Sequence, residues 1–225
     1  MHTLIAEDLL LLLLDDESGT LAQSDKIQPV LGGALLIELA LAERIEVGEK
    51  TRLWSTAKVA VIDGAPVDDP LLLTAIETIG EKPRGAQDLV GRLGKDTLEE
   101  LLRRLEERGL VHPVKGKVLR LFPRTTWPAA DRAHEDAVRN LVQGPLVHGL
   151  SADPRTSALI SLLAAVGHAH KAVERGDVPA KEINARAKQI SDGDWAAKAV
   201  KDAVAAAQAA MMAAVMASTA AAAGS

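Results

Sequence analysis

The apolar positions of this chain recur mostly three and four residues apart, the spacing of an amphipathic α-helix. Residues 4–12 present leucine and isoleucine over a wide face, with Glu7 and Asp8 in the first turns, where carboxylates favour the helix dipole. Residues 15–19 then form a turn. Residues 27–42 predict a second helix, with Pro29 in its first turn.

The clearest helix covers residues 96–108, which read DTLEELLRRLEER. We expect Asp96 or Thr97 to cap it, and its leucines line one side. Gly109 follows as a stop. Further helices are predicted over residues 70–79, 129–141, 154–175 and 179–190 and from residue 194 onward.

Two stretches alternate as β-strands do. Residues 44–62 predict a small antiparallel hairpin. Residues 110–122, LVHPVKGKVLRLF, predict a second hairpin that turns at Lys115-Gly116 and places residues 118–122 on one strand, with residues 123–128 as a linker. The predicted fold class is therefore mainly α, a single helical domain with small antiparallel β-hairpins.

Six consecutive leucines at residues 9–14 do not indicate a membrane anchor. A membrane-spanning helix needs about 20 apolar residues, and a signal peptide carries positive charge before its apolar stretch. Here Glu7 and Asp8 precede the leucines and further acids follow them. We expect these leucines to form part of the core.

Composition narrows the function. Aromatic residues make up only 2% of the chain against 48% hydrophobic residues, so the core is aliphatic, which suits helix packing. The net charge of −5 disfavours a general nucleic-acid binder. Cysteine is absent, which excludes disulfides, thiol nucleophiles and cysteine-based zinc sites and is consistent with a cytoplasmic location.

Catalytic signatures are missing from the chain. It has no GxSxG elbow, GxxxxGK[ST] loop, HExxH or GxGxxG motif. His168 and His170 are two residues apart, which on a helix points them in different directions and excludes a shared metal. The acid pairs at residues 15–16 and 68–69 read as turns. We therefore expect no metal and no cofactor, and these motifs give no indication of catalysis.

Charge and glycine patterns leave alternatives open. Gly32-Gly33 indicates either close packing of a neighbouring element on bare backbone or an anion-binding site at a helix N-terminus.

The basic hairpin at residues 110–122 fits either contact with an anionic bilayer or a solvated sheet edge. With the preceding helix it also outlines half of a winged helix, but five acids against three bases on that helix oppose DNA binding.

Five stretches in register resemble the Golgi phosphoprotein three family, which has many bacterial and especially actinobacterial relatives, and the chain is identified as a bacterial, actinobacterial member. They read LIAEDLLLLLLDDESGTL, LGGALLIELALAERIEV, VIDGAPVDDPLL, LEERGLVHPVKGKVLRLFPRTTWP and ADPRTSALISLLAAVG. The resemblance implies one domain over residues 1–216, followed by a frayed alanine-rich tail at 217–225. It also implies a non-enzymatic adaptor that binds phosphatidylinositol 4-phosphate or another anionic lipid, at the inner face of the membrane.

The resemblance implies two sets of functional residues. The family's headgroup pocket uses a tryptophan and three arginines, whose positions fall on Gln23, Gly32, Lys95 and Leu98. Only Lys95 keeps a positive charge, so membrane contact is better supported than phosphoinositide specificity. The family's hairpin, used for membrane insertion and self-association, is retained, with its expected contact residues at Lys115, Lys117, Leu119, Arg120 and Leu121. The expected partners are thus anionic lipid and a second copy of the chain, without nucleic acid; a lipid-independent protein-interaction module is the alternative.

Overall fold

The computed structural model describes residues 3–15, 17–48, 57–118, 122–193 and 198–223. Its helices are α1 (Ile5–Leu13), α2 (Ile27–Leu41), α3 (Pro70–Gly80), α4 (Ala86–Gly94), α5 (Thr97–Glu107), α6 (Ala133–His148), α7 (Pro154–Ala165), α8 (Ala180–Ser191) and α9 (Lys198–Ala223). Its strands are β1 (Ile45–Val47), β2 (Lys58–Val61), β3 (Arg84–Gly85), β4 (Val114–Val118) and β5 (Phe122–Thr126). The mainly α fold class is confirmed.

The core is built around two helices that are apolar on most sides. Every residue of α1 is buried, and this helix contacts α2, α5, α6 and α7. The centre of α2 is also buried, and it packs on α4, α7 and α9. The N-terminal leucines therefore form core, as their pattern predicts.

Glycines set the closest contact in this core. A Cβ added at Gly32 would overlap the carbonyl oxygen of Val90, and one added at Gly94 would overlap that of Gln28. The backbones of α2 and α4 thus touch through two glycines, which confirms the packing interpretation of Gly32-Gly33. Helix α4 itself was not predicted from the sequence.

The first hairpin is confirmed and has an additional strand. Strands β1 and β2 pair antiparallel, with Ile45 opposite Val61. Strand β3 adds to the free edge of β2, with Arg84 opposite Val59. With only two residues, this strand has no alternating pattern that the sequence could reveal.

The second hairpin exists, but the predicted turn position was wrong. Lys115 and Gly116 lie inside β4, opposite Thr125 and Arg124. Val118 pairs with Phe122 across the two strands, so residues 118–122 do not form one strand, and most of the expected linker belongs to β5. The pattern misled because β5 begins with Phe122-Pro123, and proline is a poor strand signal.

One helix ends earlier than predicted because a glycine follows its last turn. The helix predicted for residues 154–175 ends at Ala165, because Gly167 adopts a left-handed conformation (φ 69°) and the amide of His168 bonds back to the Leu163 carbonyl. At the other end of the chain, α9 continues to Ala223. The division into residues 1–216 and 217–225 stays a prediction.

Candidate anion-binding surface

The N-terminus of α2 carries positive charge without a capping carboxylate. Lys26 occupies the N-cap position, its side chain makes no capping bond, and the first turn contains no acid. Pro29 has no N–H to donate, but the other amides of this turn add the positive end of the helix dipole. This end of α2 therefore favours an anion.

A short turn fixes Lys26 in place. Gln23 adopts a left-handed conformation with φ 55°, and its carbonyl accepts the Lys26 amide at 2.9 Å. The Lys26 Nζ donates to Gln23 Oε1 at 3.0 Å. Gln23, at the position of the family's tryptophan, thus orients a lysine and presents no apolar ring.

The junction between α4 and α5 lies beside this end of α2. Gly94 touches the backbone of Gln28, the second residue of α2, and Lys95 follows Gly94 as an exposed residue. Asp96 adopts a left-handed conformation (φ 61°) and its side chain makes no capping bond, so the expected side-chain cap of α5 by Asp96 was wrong. The Thr97 hydroxyl donates to the Leu93 carbonyl and ties the junction to α4.

The four predicted headgroup positions therefore differ in side-chain chemistry from the tryptophan and arginines of the family's pocket. Gly32 lies under α4 and is buried, so an arginine side chain has no room at this position while α4 packs here. Leu98 is half-buried against the core. Gln23 and Lys95 are the two with polar side chains. The role of all four in headgroup binding stays a prediction.

The basic residues near this end of α2 differ in whether a carboxylate of the chain already pairs with them. Arg84 is buried and contacts Glu81 at 2.8 Å and Asp88 at 3.3 Å, while Arg92 contacts Asp88 at 3.0 Å. Lys26 and Lys95 have no carboxylate partner among the described residues. These two lysines and the α2 N-terminus define what we call the anion-binding surface, although the acids Asp25, Asp96 and Glu99, close to them in the chain, moderate its potential.

A buried ionic network lies on the other side of α1, and sequence reasoning missed it. Glu7 contacts Arg104 at 2.9 Å and Arg108 at 3.2 Å, and it accepts the Leu4 amide at 2.7 Å. Asp8 and Glu38 pair with Arg155 at 3.1 and 2.6 Å. The signal available in the sequence was the placement of Glu7, Asp8 and Glu38 in otherwise apolar helices.

The pKa shifts in this network follow from burial and pairing. Burial raises the pKa of Glu38, and Arg155 opposes that rise without cancelling it. Burial also acts on Asp69, but hydrogen bonds from Arg104 and from the amides of Leu71 and Leu72 lower its pKa overall. Asp69 therefore caps α3 and pairs with Arg104, a structural role beyond the turn predicted for it.

The β4–β5 hairpin is the second candidate contact. Val114 is 42% exposed and Lys115 is exposed beside it. Lys117 lies in β4 opposite Pro123. Leu119, Arg120 and Leu121 lie outside the described residues, so the structure places two of the five predicted hairpin residues.

The bases of α5 are occupied within the molecule. Arg103 pairs with Glu100 and Glu107, and Arg104 and Arg108 belong to the buried network. A recognition helix must offer its bases to phosphate and base edges. All three bases of α5 are therefore paired with carboxylates of this chain, and the winged-helix alternative stays a prediction.

Fold and surface together define a mainly helical domain with a solvent-facing hairpin and a cationic helix end. No helix within the described ranges has the length and apolar character required to cross a bilayer. The sequence model of the Golgi phosphoprotein 3 family (GPP34) matches residues 5–207. The chain belongs to this family, as the five stretches indicated.

Proposed function

We propose that this protein is a non-enzymatic peripheral membrane protein that binds anionic lipid through the anion-binding surface, with the β4–β5 hairpin as a second contact. Membership of a Golgi phosphoprotein family supports a membrane role. The observation that carries the proposal is the contact of Gly94 with the first turn of α2, which places the backbone of Lys95 beside the uncapped helix end that begins at Lys26. In this proposal the protein acts on the cytoplasmic side of the membrane.

The chemistry of this surface favours charge over headgroup identity. A phosphomonoester such as that of phosphatidylinositol 4-phosphate is best held by bidentate arginines. Gly32 and Leu98 replace two such arginines, and Arg84 and Arg92 are committed to carboxylates. The surface therefore suits any anionic headgroup, with phosphatidylinositol 4-phosphate as one ligand among several.

Vesicle sedimentation tests this proposal. We expect the protein to sediment with vesicles that contain phosphatidylserine or phosphatidylinositol 4-phosphate at matched total charge, and not with pure phosphatidylcholine. Added salt releases it, because exposed charges are screened. Absence of sedimentation at low ionic strength contradicts the proposal, and strong preference for the phosphoinositide contradicts its charge-only form.

Self-association through the hairpin is a second proposed activity. The two-stranded β4–β5 sheet leaves the outer edge of each strand without a strand partner among the described residues, and exposed Val114 lies on one of them. A second copy could pair there. Sedimentation velocity without lipid tests this self-association. A dimer that forms with rising protein concentration supports it, and a monomer at all concentrations contradicts it.

A further inference from the structure

The β4–β5 hairpin extends into solvent from the helical core. Residues 112–116, which lead into β4 and form its first half, are all exposed. Strands β4 and β5 pair with each other in a sheet of their own. A two-stranded hairpin is only marginally stable by itself in water, so the direction in which this one projects depends on what holds its base.

The base of the hairpin is closed by contacts between the segments just outside the two strands. Val111 and Ala129 form an isolated antiparallel bridge. The His112 amide donates to the Pro128 carbonyl at 3.2 Å. These contacts join the two ends of the hairpin to each other, and its connection to the turn after α1 comes from a separate contact.

Gly19, in the turn after α1, makes that separate contact. Trp127 is the first residue after β5, and its amide donates to the Gly19 carbonyl at 2.8 Å. The side chain of Trp127 is partly buried against the core. A hydrogen bond between residues far apart in the chain therefore fixes the end of β5 to the turn.

The contact at Gly19 has no room for a side chain. Gly19 is in the left-handed conformation, with φ 62°. A Cβ added there would lie 2.1 Å from the Pro128 nitrogen and 2.3 Å from the Trp127 nitrogen. Both are backbone atoms, which cannot swing aside as the end of a flexible side chain can. A larger residue at position 19 must therefore separate the turn from the base of the hairpin.

The turn that carries Gly19 is itself fixed to the core. The Gly19 amide donates to the Asp15 carbonyl at 2.7 Å, and the Asp15 amide donates to the Thr20 carbonyl at 3.0 Å. The Ala22 amide donates to the carbonyl of Leu13, the last residue of α1, at 2.9 Å. Because α1 is buried throughout, the turn gives the hairpin a fixed point of attachment.

The same turn leads into the anion-binding surface. Ala22 is followed directly by Gln23, which holds Lys26 through its carbonyl and its side chain. One short segment therefore borders both of the proposed membrane contacts. When two contacts are held in a fixed relation, binding of the first makes binding of the second an intramolecular event, which strengthens the whole.

We propose that Gly19 is a positioning residue for membrane binding. It fixes the base of the hairpin on the turn after α1, in the direction that lets the hairpin and the anion-binding surface engage one bilayer together. This inference rests on the proposed function, because it assigns how the two contacts are held relative to each other. Gly19 acts through the hairpin and need not touch lipid.

A matched pair of glycine variants tests the proposal. Asparagine tolerates the left-handed conformation better than most residues. Gly19→Asn therefore keeps φ but adds the overlapping Cβ, whereas Gly149→Asn adds a Cβ where φ is 67° and the space is open. We expect Gly19→Asn to speed hydrogen exchange of the Trp127 amide while the amides of α1 stay protected. It should also weaken sedimentation with phosphatidylserine vesicles at least about fivefold, the effect of one base lost from an anionic surface. Gly149→Asn should match the parent in both measurements.

A hairpin variant separates positioning from a general structural role. In the triple variant Lys115→Gln, Lys117→Gln and Arg120→Gln, adding Gly19→Asn should weaken sedimentation less than about twofold further, because the hairpin has already lost its charges. An equal loss in both backgrounds overturns the proposal, and so does unfolding of α1 in Gly19→Asn. If the parent does not sediment, the proposed function fails and this inference fails with it. If the parent sediments and Gly19→Asn binds as Gly149→Asn does, this inference alone fails.

Discussion

Glu7 is the most deeply buried charge in the described structure, at 0% side-chain exposure. It closes the start of α1 through the Leu4 amide and joins that helix to α5 through Arg104 and Arg108. The position of Glu7 in the first turn of a helix was predictable from the sequence. Its partners were not, since they lie about a hundred residues further along the chain and depend on the packing of α5.

Removal of the Glu7 charge leaves Arg108 without its carboxylate partner and Arg104 with Asp69 alone, beside a fully buried side chain. We expect Glu7→Gln to lower the free energy of unfolding by about 3 kcal/mol. Glu107→Gln removes a carboxylate from the exposed pair with Arg103 and is expected to cost less than about 1 kcal/mol. Urea denaturation of both variants measures the difference, and equal effects would show that the network adds no more than a surface pair.

Among the secondary-structure elements, α4 is the helix that the spacing of apolar residues did not predict. Its nine residues, AQDLVGRLG, include two glycines, which are poor helix formers, and only a short apolar stripe. The apolar spacing was therefore too short to predict a helix. Its place depends on Gly32 and Gly94, which allow it to touch α2. The glycine pair predicted a close contact correctly, but the identity of the contacting element depends on tertiary structure.

The two glycines of α4 give a matched test of this contact. A methyl group at Gly94 overlaps the Gln28 carbonyl, so Gly94→Ala is expected to lower the free energy of unfolding by about 2 kcal/mol or more. Gly91 has open space around it, and Gly91→Ala is expected to stabilise by up to about 1 kcal/mol through helix propensity. Thermal denaturation reports both, and stabilisation by Gly94→Ala would contradict the observed packing.

The contribution of the β4–β5 hairpin to membrane binding and self-association can also be measured. The triple variant Lys115→Gln, Lys117→Gln and Arg120→Gln is expected to weaken binding to anionic vesicles or self-association. We expect the melting temperature to stay nearly unchanged, since charges on a sheet edge in solvent, such as that of exposed Lys115, contribute little to stability. Vesicle sedimentation and sedimentation velocity measure the two activities. Parent-like behaviour in both would leave the hairpin with a structural role only.

For the whole molecule, the sequence predicted the class of fold better than the site. An aliphatic, aromatic-poor composition and helical spacing indicated a mainly α domain, and the family match confirms the resemblance. The headgroup positions were harder to assess, because Gly32 is a packing residue and Arg84 and Arg92 have local carboxylates, facts that only the fold reveals.

Stability of the whole molecule is expected to fall in mild acid through His168. Burial lowers its pKa in the folded state to about 4 from the ordinary value of 6.5, so the unfolded chain binds the extra proton first as the pH falls. The contribution is negligible above pH 6.5 and grows to about 2 kcal/mol of lost stability at pH 5. His168→Gln removes this term, and unfolding curves of the two proteins should diverge between pH 7 and pH 5; parallel curves would contradict it.

The most direct test of lipid binding compares two pairs of lysines on the same protein. Lys26→Gln with Lys95→Gln removes both cations of the anion-binding surface, whereas Lys181→Gln with Lys188→Gln removes two exposed cations from α8. With about 1 kcal/mol for each base near an anionic membrane, the first pair should weaken sedimentation with phosphatidylserine vesicles roughly 30-fold. The second pair should leave it unchanged. Equal loss in both pairs, or no loss in the first, would contradict a site at the junction of α2 with α4 and α5.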